Sequence, residues 1–443
     1  MPGIVRPRGS VEAPPPGAQA HSNGFAQGQA VALSEEQRAA CAELLRFPKQ
    51  VQTLGGYAGT GKSTVVKELH RLLPSFAVCA YTGKAAHLLR EKGIADASTI
   101  HSLIYRRVEW EEWDEWKEKM VTRVEWVRKS HDELGKDYDG DYGFHGSYAG
   151  NSYGEFGCQG FIIDEASMVN EKLFDDLCSY GLRLIAVGDH GQLEPVEDRY
   201  DLMSEPDITL ETLHRNAGEV ARFAEHLRHR GMPWGWGRQA GRDGSQVTLL
   251  PSSALTDFDL LSVDQIICGY NATRVAINRR ARAAHLGRLG KSLPDGHPDD
   301  SHLPDCPRLG CYAAAASSPL HNWPVAGDRV ICLKNDHQQG LFNGMQGVAA
   351  EVSGRRMVFR SGGIDYPVTF VPEAWNDERR PKHGYRGAGV PFDYAYCVTC
   401  HKAQGDEWDV VAVIEERGPG WDRARWSYTA ASRARKRLIW VEA

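Results

Sequence analysis

The sequence predicts an α/β fold in which two parallel-sheet bodies, each flanked by helices, are interrupted by inserted regions. Three observations predict it. From Val31 to Tyr105 short β-branched or apolar runs alternate with helical patterns: VQTL, then STVVKELHRLL with Val65, Val66, Leu69, Leu72 and Leu73 on one face, then SFAVCAY. Strand-then-helix alternation builds parallel sheets, because each crossover returns the next strand in the same direction. The pattern breaks at Arg106 and resumes at QGFIIDE and LRLIAVGD. It returns in DQIICGYNATRVAINRRAR and in the closing YAYCVTC, EWDVVAVI and RLIWVE.

In chain order, residues 1–30, rich in Pro, Gly, Ala and Ser and without the apolar stretch of an export signal, read as a disordered lead-in. The first body spans 31–195 and is split by an insertion at 106–157. The insertion's first half, VEWEEWDEWKEKMVTRVEWVRKS, sets Trp113, Trp116, Met120, Val124 and Val127 at helical spacing and predicts a helix with its own small core. Its second half, DYDGDYGFHGSYAGNSYGEF, has neither period and reads as a loop. The second body is assembled from 196–290 and 391–443, and 291–390 is a loop plus a β-rich module. Gly231–Gly244 and Ser292–Pro324 carry the Gly and Pro of loops. In IDYPVTF, Ile364, Tyr366, Val368 and Phe370 alternate strictly, and Pro367, which has no N–H to give a ladder, predicts an edge strand.

Composition limits the function. A chain of 443 residues is long enough for two to four domains and at least one cleft between them. No apolar run exceeds six residues, so no spanning helix is expected, and the chain reads as cytoplasmic. Ten scattered cysteines, several in apolar runs, fit buried thiols in a reducing compartment. With 52 Lys and Arg against 58 Asp and Glu, the net charge of -6 excludes a uniformly basic coat for nucleic acid. The charge is uneven: residues 106–141 hold 8 basic and 12 acidic residues, whereas 421–443 hold 6 and 2. Any nucleic-acid track is therefore local.

The strongest motif is Gly56-Tyr57-Ala58-Gly59-Thr60-Gly61-Lys62-Ser63, G-x4-G-K-S between a strand and a helix. Successive N–H groups of such a loop cradle phosphates, Lys62 adds a point charge, and Ser63, followed by Thr64, is placed to hold Mg2+. Hydrolysis needs a carboxylate for the metal and one for the attacking water, both at the end of a buried strand of the same sheet. Phe161-Ile-Ile-Asp164-Glu165 supplies them, Asp164 for Mg2+ and Glu165 as general base.

With these residues in place, the chain resembles a superfamily 1 DNA helicase of the RecD-like, Dda-like group, whose motifs recur in order from Ser34 to the C-terminus. Ser34-Glu-Glu-Gln37 resembles the motif whose glutamine reads adenine. Ala80-Tyr-Thr82-Gly-Lys84 and Thr99-Ile-His101 resemble two segments that touch single-stranded DNA. Val187-Gly-Asp189-His-Gly-Gln192 resembles the motif whose glutamine senses the γ-phosphate. Leu213-His-Arg215-Asn and Tyr428-Thr-Ala-Ala-Ser-Arg433 carry the arginines that reach that phosphate across the cleft. Thr399-Cys-His401-Lys402-Ala-Gln404-Gly405-Asp-Glu407 resembles the late motif that joins DNA contact to nucleotide, and Asn343-Gly344 resembles a further Asn-Gly segment of the group.

The resemblance implies two RecA-like P-loop motor domains, a pin or wedge in the first insertion and an SH3-like module in the second. It implies ATP and Mg2+ as cofactors, with Gln37, Gly56, Ala58, Gly59, Thr60, Gly61, Lys62, Ser63, Thr64 and Glu407 at the nucleotide. Thr82, Lys84, His101, Asn343, Thr399 and His401 are implied at the DNA. Single-stranded and forked DNA are the implied partners, with 5′-to-3′ movement by a monomer and a place beside replication or recombination proteins. An RNA helicase of the same superfamily, or a DNA-stimulated translocase without strand separation, shares every ATPase motif. Cys397-Val-Thr-Cys400-His401 also matches the c-type haem pattern, and Cys306 with Cys311 would complete a four-thiol zinc site; the buried-strand reading of YAYCVTC competes with both.

Overall fold

Strands buried on both faces are mostly apolar, and the strand runs of both sheets fold that way. The computed structural model describes residues 33–46, 48–114, 119–134, 157–194, 200–212, 218–231, 239–240, 244–289, 323–336, 339–377 and 389–442. Helix α1 (Glu35–Arg46) opens on a capping box: Gln37 N–H donates to Ser34 Oγ at 3.2 Å and Ser34 N–H donates to Gln37 Oε1 at 3.0 Å. The first sheet has strands β1 (Val51–Gly56), β2 (Phe76–Ala80), β3 (Ser98–Thr99), β6 (Gly160–Asp164), β7 (Arg183–Gly188) and β8 (Ile208–Leu210), paired in parallel in the order β3-β2-β6-β7-β1-β8. Alternation divides its side chains. Leu54, Val78, Ile162 and Ile185 pack with Val65, Val66 and Leu69 of α2 (Lys62–Leu72), while Ala77, Phe161, Ile163 and Ala186 face Ile100 and Leu103 of α4 (Ile100–Ile104). Between α2 and α4 lies α3 (Gly83–Glu91), capped by Thr82, whose hydroxyl accepts from Ala85 N–H at 3.1 Å.

The first insertion departs from the expected helix. Its described part is an antiparallel ribbon, β4 (Tyr105–Asp114) against β5 (Lys119–Arg128), with Trp113 opposite Met120, Trp110 opposite Arg123 and Arg107 opposite Trp126. The cause is pairing: aromatic and β-branched residues gain more as cross-strand neighbours than along one helix face. The ribbon's root is anchored. Tyr105 donates to Asp176, and Tyr180 Oη donates to the carbonyls of Lys129 at 2.8 Å and Ile104 at 3.2 Å. Farther out, Trp113, Met120, Val124 and Trp126 are each about half exposed. Trp116 and the Tyr/Gly-rich half of the insertion lie outside the described residues.

The second sheet is built from β9 (Gln239–Ala240), β10 (Gln246–Pro251), β11 (Gln265–Cys268), β17 (Cys397–Thr399), β18 (Trp408–Ile414) and β19 (Ala434–Glu442), in the order β17-β11-β18-β19-β10-β9. All its pairs are parallel except β9 with β10. One face packs on α6 (Glu219–Arg230) and α10 (Arg423–Ala431) through Phe223, Leu227, Val411, Val413, Trp426 and Trp440. The other face shares a core with the β-rich module. That module is an antiparallel sheet of β12 (Arg329–Cys332), β13 (Gln346–Ser353), β14 (Arg356–Ser361), β15 (Ile364–Thr369) and β16 (Phe392–Tyr394), in the order β15-β14-β13-β12-β16. Pro367 lies on β15, an edge strand. Two buried ion pairs fasten α8 (Asn271–Arg288) to the module, Arg274 with Asp393 and Arg282 with Asp328.

Candidate nucleotide cleft and DNA face

The phosphate-loop sequence turns at the carboxyl end of β1. Gly59 and Gly61 have φ of 91° and 80°, a left-handed backbone that side chains resist, and Gly61 caps α2. The turn aims the free N–H groups and positive end of α2 at one spot, with Ser63 and Thr64 in its first turn. Lys62 Nζ donates to the carbonyls of Gly56 at 2.6 Å and Tyr57 at 3.0 Å, and lies 3.9 Å from Asp189 Oδ2. Gln37 is buried against the loop, its amide donating to Thr60 O at 3.0 Å. It braces the loop through its amide while its carbonyl caps α1.

Asp164 ends β6, and Glu165 follows with φ 55° and ψ 42°. A left-handed glutamate costs about 1–3 kcal/mol, a strain typical of sites that must aim one side chain. Burial pushes both carboxyls above their ordinary range; Asp164 adds to the rise at Glu165, and Lys92 and Lys62 pull Asp164 down. Glu165 Oε2 and Gln192 Oε1 are buried without a hydrogen-bond partner. A positive cradle and a lysine resting on two carbonyls beside Asp189 fit a triphosphate, and the two orphaned acceptors fit a water held among them. Among the described residues no group of three or more His, Cys, Asp or Glu forms a metal cage.

The second body closes this site. Tyr428 Oη, from α10, accepts from Ala58 N–H at 2.9 Å and donates to Asp189 Oδ2 at 2.9 Å. Asp189, fully buried, also accepts from Gly191 N–H at 2.9 Å and Gln192 Nε2 at 3.1 Å. Leu193 N–H donates to Thr429 Oγ1 at 3.0 Å. Arg433 is near enough to draw the Glu165 carboxyl down, yet its guanidinium is turned back, with Nε on Thr429 O at 3.0 Å and Nη1 on Asp406 O at 3.3 Å. Arg215 lies outside the described residues. Sequence reasoning passed over Tyr428 and Asp189, although both stand inside motifs it quoted; a tyrosine opening the arginine motif was the available signal.

The residues expected at DNA form a second group. Thr82 is engaged as the α3 cap, and Lys84 is ion-paired with Asp406. His101 is exposed beside Tyr81 and Tyr105, ring centroids 6.5 and 5.6 Å away. Thr399 precedes α9 (Cys400–Ala403), burial lowers the His401 imidazole, and Glu407 is half-buried before β18. Asn343 Oδ1 accepts from Lys402 Nζ at 2.8 Å. Next to it Phe342, only 8% exposed, lies on α3: its ring stacks on His87 at 5.8 Å, Arg90 sits 5.8 Å over it, and a Cβ on Gly83 would come to 3.0 Å. Cys397 and Cys400 are buried, and burial pushes the Cys400 thiol up to about 12, as in a core thiol. Cys306 and Cys311 lie outside the described residues.

A family profile described as an AAA domain matches residues 32–242, and one described as a UvrD-like helicase C-terminal domain matches 394–441. The ATP-dependent RecD2 DNA helicase of Deinococcus radiodurans is 26% identical over 422 residues, covering 92% of this chain and 48% of that protein. Together these matches make the chain similar to superfamily 1 helicases of the RecD kind. A conjugal transfer protein TraA of Agrobacterium fabrum is 24% identical over 412 residues, 86% of this chain and 30% of that protein. The chain thus spans half or less of the length of these curated relatives. Bacteroides Pif1 bound to single-stranded DNA superposes with a TM-score of 0.52 at 18% identity, covering 92% of both chains. A Pif1 structure described as DNA unwinding at forked duplex by two coordinating helicases gives 0.51 at 20%, again over 92% of each. At such identities the likeness establishes the fold alone, a mixed α/β architecture with two parallel sheets.

Proposed function

We propose that the chain is an ATP-dependent DNA helicase that moves on single-stranded DNA, 5′ to 3′, and opens duplex at a fork, driven by Mg-ATP hydrolysis between two RecA-like domains. The observation that carries this reading is the two-sided cleft: Lys62, Asp164, Glu165, Asp189 and Gln192 of the first body meet Tyr428 and Arg433 of the second. A phosphoryl-transfer site completed from two bodies makes hydrolysis depend on their approach, which a motor requires.

The roles in this reading are these. Lys62 exchanges its two carbonyl partners for phosphate oxygens, and Gln37 keeps the loop in register. Ser63 and Asp164 would hold Mg2+, which would supply charge neutralisation for the phosphates. Glu165, with its raised carboxyl, takes the proton of the attacking water, and Gln192 orients it. Arg433 turns from its own helix toward the transferring group, with Arg215 as the second arginine. Thr82, Lys84, His101, Asn343, Thr399 and His401 line the strand's path. The ribbon β4–β5 acts as the pin, and the antiparallel module is the SH3-like domain of the group.

The test is ATP hydrolysis with and without single-stranded DNA, for wild type and Lys62→Ala, followed by unwinding of a labelled fork. DNA should stimulate the wild type, and Lys62→Ala should lose about 100-fold or more. Equal rates in all four conditions remove the motor reading. The base must be deprotonated, so activity should fall as pH drops through a Glu165 pKa lying above the ordinary carboxylate range. Glu165→Gln should abolish hydrolysis, and an acid limb at ordinary glutamate values would reassign the base.

A further inference from the structure

Lys84 is the second residue of α3, behind the Thr82 cap, on the side assigned to single-stranded DNA. Its ammonium is already spent within the protein, on Oδ1 of Asp406 in the Gln404-Gly405-Asp406-Glu407 turn of the second body. The pair is shielded: the Asp406 side chain is 9% exposed and that of Lys84 25%. Asp406 Oδ2 is buried with no hydrogen-bond partner. The same residue's carbonyl accepts from Arg433 Nη1 at 3.3 Å, and its N–H donates to Ala403 O at 3.1 Å. One residue therefore has its side chain on a lysine of the DNA face and its main chain on the arginine of the nucleotide cleft.

A carboxylate held by a lysine through one oxygen presents the charge and the acceptor that a backbone phosphate would present. We propose that Asp406 is a positioning residue acting through Lys84: its carboxylate stands in for a strand phosphate, and incoming DNA must displace it to gain Lys84. This rests on the helicase reading above. Burial raises the Asp406 carboxyl while Lys84 and Arg433 lower it, so taking Lys84 away leaves a poorly solvated carboxylate. Strand binding is weakened by that cost, and release is assisted by the same amount. The exchange also loosens the segment that holds Arg433 back, linking strand occupancy to the cleft through one side chain.

The experiment is fluorescence anisotropy of a labelled oligothymidylate, without nucleotide and across a salt series, with wild type, Asp406→Asn, Lys84→Ala and the double variant. Asp406→Asn should tighten binding about fivefold, the weight of an ion pair of about 1 kcal/mol. Lys84→Ala should weaken binding and reduce the slope of log affinity against log salt by about 0.7, one phosphate contact on a single strand. In the Lys84→Ala background the Asp406 substitution should no longer tighten, and Asp406→Glu should restore wild-type affinity. A merely structural residue would show neither the dependence on Lys84 nor the rescue. Asp406→Ser should reproduce the Asp406→Asn pattern and replaces it if the amide variant does not fold. Tightening of equal size in both backgrounds, or none with Lys84 present, overturns the proposal alone. A wild type that binds no DNA at any salt overturns the helicase reading and this proposal with it.

Discussion

The two insertions attach to their motor bodies in opposite ways. The β-rich module shares one continuous core with the second sheet: Phe359, Phe370, Trp375 and Phe392 pack in the same cluster as Ile266, Cys268, Ile439 and Val441. Buried pairs from α8 to Asp393 and Asp328 cross the junction. Among the described residues the ribbon is fastened at its root, where Tyr105, Arg128 and Tyr180 meet α5 (Glu171–Cys178) and its C-terminal end, and it leaves its outer tryptophans in solvent. One insertion is part of the scaffold; the other is an appendage whose sequence is free to serve something outside the chain. Exposed aromatics separated by charges suit base stacking, since any base offers a ring face.

The contrast can be broken from either side. Asp393→Ala should produce the largest stability loss, about 3–5 kcal/mol, because it leaves Arg274 charged and buried, and chemical denaturation should register it as one cooperative shift. A small loss there would mean that module and sheet fold apart. Replacing residues 107–126 by a short Gly-Ser linker should abolish fork unwinding while leaving DNA-stimulated hydrolysis in place. If unwinding survives, the ribbon is not the pin. Trp113→Ala and Trp126→Ala should change stability by no more than about 0.5 kcal/mol, as exposed positions do, yet slow unwinding several-fold. A pronounced loss of stability from either would show that the ribbon has a packed face.

These differences also mark what the sequence could disclose. The strand runs FIID, LIAV and VVAVI read correctly because burial on both faces leaves an apolar signature, and Pro367 read correctly as an edge because its ring removes a donor. The ribbon misread because Trp113, Met120, Val124 and Val127 satisfy a helical spacing, while Met120, Val124 and Trp126 satisfy the strand period equally well; only the partner strand decides between them. In the cleft, the loop and acidic residues were visible as short contiguous motifs. Tyr428 escaped because its meaning depends on Asp189, 239 residues away, and Asp406 because its partner is on the other body. Contacts made by folding back carry no local pattern.

The seat of Phe342 on α3 has a mechanical consequence. The second body leads through the peptide chain into the module, the module touches α3 through that ring, and α3 returns through the first sheet to the cleft, so these four parts form a closed linkage. A change of angle at the cleft must be met by a slide of the ring over Gly83 or by flexure of the module. Gly83 is the bearing surface of that joint: with no side chain it lets the ring travel, and even one methyl group there would meet the ring at 3.0 Å and act as a brake.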